Sequence, residues 1–286
     1  MQPTWIDDYA LVNGARMHYV RTGGEDKPSL VLQHGFSDNG MCWAPTARDL
    51  EAGWDVVMPD ARAHGKSARV QPGEVIDQAA DLAALIRALD QARSESGPPE
   101  SGPPSRRAVV AGHSMGAWMA SELGARFPEL VRGIVLEDPP WFPPRPEGPE
   151  GGLRGRNSPL AEWIRGMEGM SLDAIVAREA LEHPTWPEEV LRAWCAAKLE
   201  LDLAFLEIGS TARMDWHEVV RAIQCPTLVI TADPAQGGIV TPEVAAEAQA
   251  LNPRIQVLNF PGVGHHVRFA VYGPYMAAVR AFLVRL

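Results

Sequence analysis

Residues 108–117 read AVVAGHSMGA, and this stretch decides the fold. Ala108 to Ala111 is a short apolar run of strand length, and Gly112-His113-Ser114-Met115-Gly116 then crowds two glycines around a serine before a helix-like stretch. A serine on so tight a strand-to-helix turn has strained backbone, and the helix returns close beneath it where neighbours are small; Gly112, Gly116 and Ala117 meet that need. The turn sets the Ser114 hydroxyl at a helix N-terminus, with the Met115 N–H facing charge that develops there.

Outward from this turn, short apolar runs alternate with helical patterns, the signature of a mostly parallel sheet flanked by helices. Strands are predicted at Leu30–Gln33, Val56–Met58, Ala108–Ala111, Gly133–Leu136, Thr227–Thr231 and Ile255–Asn259. Leu11-Val12 and Met17–Val20 flank Asn13-Gly14, a type I′ hairpin signal that opens the sheet antiparallel. Leu82, Leu85, Ile86 and Leu89 recur at helical spacing and give one stripe to pack on the sheet. There are 26 glycines and 25 prolines, and the excess gathers in two places. Ser94 to Ser105 (SESGPPESGPPS) reads as an exposed insertion, and Pro139 to Gly155 as the hinge of an inserted domain. The segment 160–220 lacks strand-like runs and carries several tryptophans. The expected division is an α/β core of 1–138 and 221–286 with a helical cap at 139–220. Trp141, Trp163, Trp186 and His266 are candidates for lining an apolar substrate pocket, against the plainer reading of packing between cap and core.

Composition narrows the function. The chain has 286 residues, is 46% hydrophobic and carries a formal charge of −10, which repels phosphate backbones and anionic lipid. Nucleic acid is not expected as a partner. The longest uncharged stretch found, Ala108 to Ser121, is too short for a membrane helix, and Asp7 and Asp8 stand where a signal peptide needs an apolar run. Cys42, Cys195 and Cys225 are scattered without CxxC spacing, so buried free thiols in a reducing cytoplasm are expected, with no metal. No GxGxxG follows the first strand, and GxxxxGK[ST] and HExxH are absent, so no cofactor is expected. The acidic balance with a Trp-rich cap points to a small, neutral, largely apolar substrate. Oligomeric state stays open.

A tetrahedral oxyanion needs a second donor besides Met115. Gln33-His34-Gly35-Phe36 follows an earlier strand, Gly35 permits the turn, and the Phe36 amide is the natural second donor; His34 is expected to hold that loop by hydrogen bonding. The general base should be a histidine after the last strand if the order is serine, acid, histidine. FPGVGHH at 260–266 supplies it, with His265 preferred and His266 the alternative.

These motifs together resemble the α/β-hydrolase superfamily. The HGF turn, Asp60-Ala61-Arg62-Ala63-His64-Gly65-Lys66-Ser67 beside that family's DxRGHGxS segment, GHSMG and GVGHH occur in family order. The resemblance implies Ser114 as nucleophile, His265 as base, Phe36 and Met115 as oxyanion amides, and structural roles for Asp60 and Arg62; Ala63 departs from the usual glycine. Most of the family places its acid after the strand here at Thr227–Thr231, where Asp233 stands two residues early and alanine holds the usual position. A minority, including haloalkane dehalogenases and zearalenone-lactonase types, places it after the preceding strand, which selects Asp138. Asp138 is preferred, with Asp233 and then Glu137 as alternatives. The implied activity is hydrolysis of a carboxylic ester or lactone through an acyl-enzyme. Alternatives are C–C bond cleavage, a cofactor-free peroxidase-like reaction, or a non-catalytic receptor for a small ligand.

Overall fold

The computed structural model describes residues 5–24, 26–71, 74–96, 107–142, 159–206 and 214–286. The expected insertion at Ser94–Ser105 lies outside these beyond residue 96, and the expected hinge at Pro139–Gly155 lies outside them beyond residue 142.

An eight-stranded sheet runs in the order β1-β2-β4-β3-β5-β6-β7-β8. Its strands are β1 (Ile6–Val12), β2 (Ala15–Arg21), β3 (Ser29–Gln33), β4 (Asp55–Pro59), β5 (Ala108–His113), β6 (Val131–Glu137), β7 (Thr227–Thr231) and β8 (Ile255–Asn259). Every pairing from β4 to β8 is parallel, while β2 meets both β1 and β4 antiparallel. Asn13 (φ 48°) and Gly14 (φ 79°) both take the left-handed region that a type I′ hairpin demands.

The inner strands are apolar on both faces because both are covered. Val31, Val57, Val110, Leu136 and Val229 turn to one face, against α2 (Gln78–Ser96) and α3 (Met115–Arg126). Their neighbours Leu32, Met58, Ala111, Val135 and Ile230 turn to the other. There they meet α1 (Ala44–Leu50) and, near the C-terminus, α9 (Val267–Ala270) and α10 (Tyr272–Leu283). The stripe Leu82, Leu85, Ile86 and Leu89 of α2 is buried as its spacing requires.

Between β6 and β7 come α4 (Pro159–Arg165), α5 (Leu172–Glu182), α6 (Glu188–Glu200) and α7 (Trp216–Ala222). They divide into two kinds. Ile175, Val176, Val190, Leu191, Trp194 and Cys195 of α5 and α6 build a separate apolar cluster that reaches the rest of the molecule through Cys42 and Phe269. Trp216, Val219 and Val220 of α7 instead join the cluster under the sheet. The expected 139–220 cap therefore includes a helix, α7, whose apolar side packs with the core. The remaining helix, α8 (Pro242–Leu251), starts on Thr241, whose side chain accepts from Val244 N–H. All three cysteines are free and buried.

Candidate active site

Ser114 sits between β5 and α3 at φ 52°, ψ −115°, a conformation costly for any residue with a side chain. Packing forces it. A Cβ on Gly112 would stand 2.2 Å from the Gly116 carbonyl oxygen, and one on Gly116 would stand 2.2 Å from the Gln33 carbonyl oxygen. The two glycines let the helix, the turn and β3 close on one another. The Ser114 N–H is tied to the Glu137 carbonyl at 2.9 Å, and its own carbonyl accepts from Trp118 N–H at 3.0 Å. The serine is half-buried.

The loop after β8 lies against this turn. His265 Nδ1 meets Asp138 Oδ2 at 2.6 Å. Asp138, the residue after β6, is fully buried and also accepts from Ile239 N–H at 2.9 Å and Val240 N–H at 3.1 Å. With Nδ1 committed to the carboxyl group, His265 keeps Nε2 as an acceptor, and its side chain is 23% exposed. His113 makes the link to the serine: its ring lies 4.5 Å from that of His265, and its Nε2 lies 3.1 Å from the His265 carbonyl oxygen.

Two of the three candidate acids touch this loop, and the third holds the helix that follows it. Asp138 reaches the imidazole. Asp233 is a loop cap instead, accepting from Ala235 N–H at 2.9 Å and Gly262 N–H at 2.8 Å. Glu137 is buried and accepts from Arg268 through both the backbone N–H and Nη1 at 2.9 Å, holding the start of α9.

On the opposite side, His34 Nδ1 donates to the Gly35 carbonyl at 2.8 Å while its Nε2 accepts from Ala61 N–H at 2.9 Å. Burial holds this imidazole below its usual range, so it is a neutral brace for the loop that carries Phe36. Asp60 gathers the same region, accepting from Gly40 N–H at 2.7 Å and Lys66 N–H at 2.8 Å. Arg62 pairs with Asp81 at 2.7 Å. Phe36 stacks on Phe205 at 5.7 Å, and His64 lies edge-on to both rings. Burial and the nearby His34 push the His64 imidazole down to about 3.

The pocket candidates separate. Trp163 lies 5.5 Å from Trp194, and Trp186 packs against His183, Trp194, His266 and Phe269. His266 thus stands beneath α5 and α6, its imidazole held well below the usual range by burial and by His113 and His265. Trp141 is 1% exposed, stacked on Trp216 within the core cluster, and is packing rather than an open wall.

Sequence reasoning missed a buried charged group behind the histidines. Asp38, Lys198, Glu137 and Arg268 are each within 2% of full burial. Asp38 pairs with Lys198 at 2.8 Å; burial alone would raise its carboxyl, but Lys198 and His113 hold it well below the usual carboxylate range. A signal existed. Lys198 continues the stripe Leu191, Trp194, Cys195 on α6, so its position faces inward. Asp38, His113 and His266 bring ligand atoms within 4.8 Å of one another. Lys198 on Asp38, and Arg268 at 3.9 Å from the same carboxylate, oppose a cation there.

Among the described residues, no helix is long and apolar enough to cross a membrane. The chain is 28% identical to the N-formylmaleamate deformylase of Pseudomonas putida, over 95% of this chain and 94% of that protein. It is 26% identical to the 2-(acetamidomethylene)succinate hydrolase of Mesorhizobium japonicum, over 84% and 82%. The crystal structure of the N-formylmaleamic acid deformylase from Pseudomonas putida S16 superposes with a TM-score of 0.75 at 20% identity, covering 96% of this chain and 100% of that one. The model of the alpha/beta hydrolase family matches residues 30–279, and the chain belongs to that family.

Proposed function

We propose that this protein is a serine hydrolase that cleaves a small ester or lactone through an acyl-enzyme. The observation that carries the reading is the 2.6 Å contact between Asp138 and His265 Nδ1, beside a serine held in the strained turn that α/β hydrolases use for a nucleophile. Ser114 Oγ attacks the carbonyl carbon as its proton passes to His265 Nε2, while Asp138 orients the ring and balances the imidazolium. The Phe36 and Met115 amides hold the oxyanion. Collapse breaks the bond to the leaving oxygen, which takes the proton from His265. Water, deprotonated by the same histidine, then attacks the acyl carbon; the bond to Ser114 Oγ breaks, the oxygen takes the proton back from His265, and the carboxylic acid leaves.

In this reading α4–α6 form the lid, and Trp163, Trp186 and His266 face the substrate from it and from beneath it.

A second reading is favoured by the relatives. Two relatives whose likeness runs along most of this chain are named for an N-formyl and an acetamido compound, so an N-acyl amide is the alternative substrate, while a third with similar reach, from Psychrobacter immobilis, is named a lipase and sides with the first reading. The chemistry is unchanged except that His265 protonates a leaving nitrogen.

The test combines mapping of fluorophosphonate labelling with turnover of a p-nitrophenyl ester series, a lactone series and N-formyl and N-acetyl amides, by wild type and Ser114→Ala. Label on Ser114 and serine-dependent turnover are expected. Amide turnover exceeding that of every ester and lactone would replace the first reading with the second. Neither label nor turnover would overturn both.

A further inference from the structure

We propose that Lys198 is a positioning residue: it fixes the loop bearing the Phe36 amide, so that seating α6 against the segment after β3 completes the oxyanion hole. This rests on the serine-hydrolase reading and adds a residue that acts through that loop.

Three consecutive residues after Phe36 are tied to α6. Lys198 Nζ donates to the Ser37 carbonyl at 2.9 Å and to Asp38 Oδ1 at 2.8 Å. Asn39 Nδ2 donates to Glu200 Oε2 at 2.7 Å. Ser37 has φ 61°, the left-handed region that a serine adopts at a cost, and such a residue persists where its surroundings over-determine it. Within the loop, the Asp38 N–H closes a turn onto the Gly35 carbonyl at 3.2 Å. The lysine adds a constraint on Ser37 from more than 150 residues away in sequence.

The ammonium is fully engaged. Besides its two oxygen partners it stands 4.1 Å from the centroid of the Trp194 ring, and both it and Asp38 are 1% exposed. Taking both charges out of water is costly, their attraction offsets that cost only in part, and apolar residues of similar volume often serve stability as well. Geometry is what an apolar pair would not supply. An oxyanion donor must sit where charge will develop, and a loop freed to relax its left-handed serine carries the Phe36 N–H with it.

Lys198→Met alone would leave the buried Asp38 carboxylate without its lysine donor, with Arg268 at 3.9 Å as the nearby cation, so the informative protein is Lys198→Met with Asp38→Asn, compared with Lys198→Arg and wild type. Circular dichroism and thermal melting report the fold; kcat and KM are measured on the best ester or amide, with the rate of Ser114 labelling by a fluorophosphonate. The double variant is expected to fold, to lose about 10- to 100-fold in kcat and in labelling rate with KM changed less than about threefold, and Lys198→Arg to recover part of it. That loss is below the roughly 100- to 1,000-fold seen when one oxyanion donor is removed outright.

A folded double variant with wild-type kcat and labelling rate would overturn the inference and leave the hydrolase reading intact. Loss of the fold in both variants would overturn it too, making the lysine a structural tie. Wild type that neither labels nor turns over would overturn the hydrolase reading, and this inference with it.

Discussion

The turn around Ser114 and the helices α4–α6 solve opposite problems. At the turn, backbone meets backbone: Gly112 and Gly116 touch carbonyl groups of neighbouring elements with no room for a methyl. In α4–α6, side chain meets side chain, with Trp163, Trp186 and Trp194 packed ring against ring around His183 and His266. Backbone contacts do not yield, whereas aromatic rings repack. The first arrangement suits a rigid catalytic geometry and the second a surface that varies its substrate.

The largest expected effect is in the rigid region. Asp138→Asn should lower kcat by about 10³- to 10⁴-fold, because an amide in place of the carboxylate disturbs the tautomer and charge of His265; the melting temperature should fall as well, since the amide nitrogen must face a buried donor, either Val240 N–H or Ile239 N–H and His265 Nδ1. Asp233→Asn should lower it less than about threefold, since that side chain caps Ala235 and Gly262. Steady-state kinetics on both variants decides; the reverse ranking would break the assignment.

Next comes the backbone contact itself. Gly116→Ala should cost about 3 kcal/mol or more, since the added methyl meets the Gln33 oxygen at 2.2 Å and the His34 oxygen at 2.5 Å. Gly166→Ala, just after α4, should cost less than about 1 kcal/mol, because the nearest atom, the Trp163 carbonyl oxygen, lies at 3.3 Å. Urea unfolding measures both. Equal losses would erase the distinction drawn between the two regions.

How much was legible in the sequence follows the same line. Thr227–Thr231 and Ile255–Asn259 are strands to the residue and the other inner strands agree within one or two positions, because a short apolar run between turns is a local signal, whereas β1 begins at Ile6, five residues before the expected Leu11, its outer part being exposed and without an apolar run. The Ser114 turn was legible because its constraint is written in adjacent residues. The acid was harder: Asp138 and Asp233 bear on one loop and Glu137 on the helix just after it, and which reaches the ring depends on how β6 and β7 end in space. Lys198 was missed because its partners, Ser37 and Asp38, lie in a distant loop, although its place on the α6 stripe marked it as inward. Trp141 shows the converse, an aromatic beside the expected hinge that stacks on Trp216 in the core.

A smaller effect should come from the aromatic region. Trp186→Leu removes ring contacts to His266 at 5.1 Å and Phe269 at 4.8 Å. Since these groups neither form nor break bonds, KM for aromatic or long substrates should rise about 3- to 10-fold with kcat within about threefold. A collapse of kcat with KM unchanged would place Trp186 on the rigid side of the comparison.

The smallest effect is expected at Ala63, where the resemblance called for glycine. Its φ of 71° is left-handed, so the methyl carries strain of roughly 1–2 kcal/mol that Ala63→Gly would relieve. Two terms oppose this. Glycine gains about 0.5–1 kcal/mol of freedom in the unfolded chain, and the lost methyl, fully buried in the cluster under the sheet, contributed about 0.8 kcal/mol. The sum lies within about 1 kcal/mol of zero, so the urea midpoint should barely move. Ala63 is also a junction between the two regions, its carbonyl accepting from Asp202 N–H at 2.8 Å just after α6. A loss above about 2 kcal/mol would mean that the alanine fixes this carbonyl for the helix, and that the rigid region extends its control into the aromatic one.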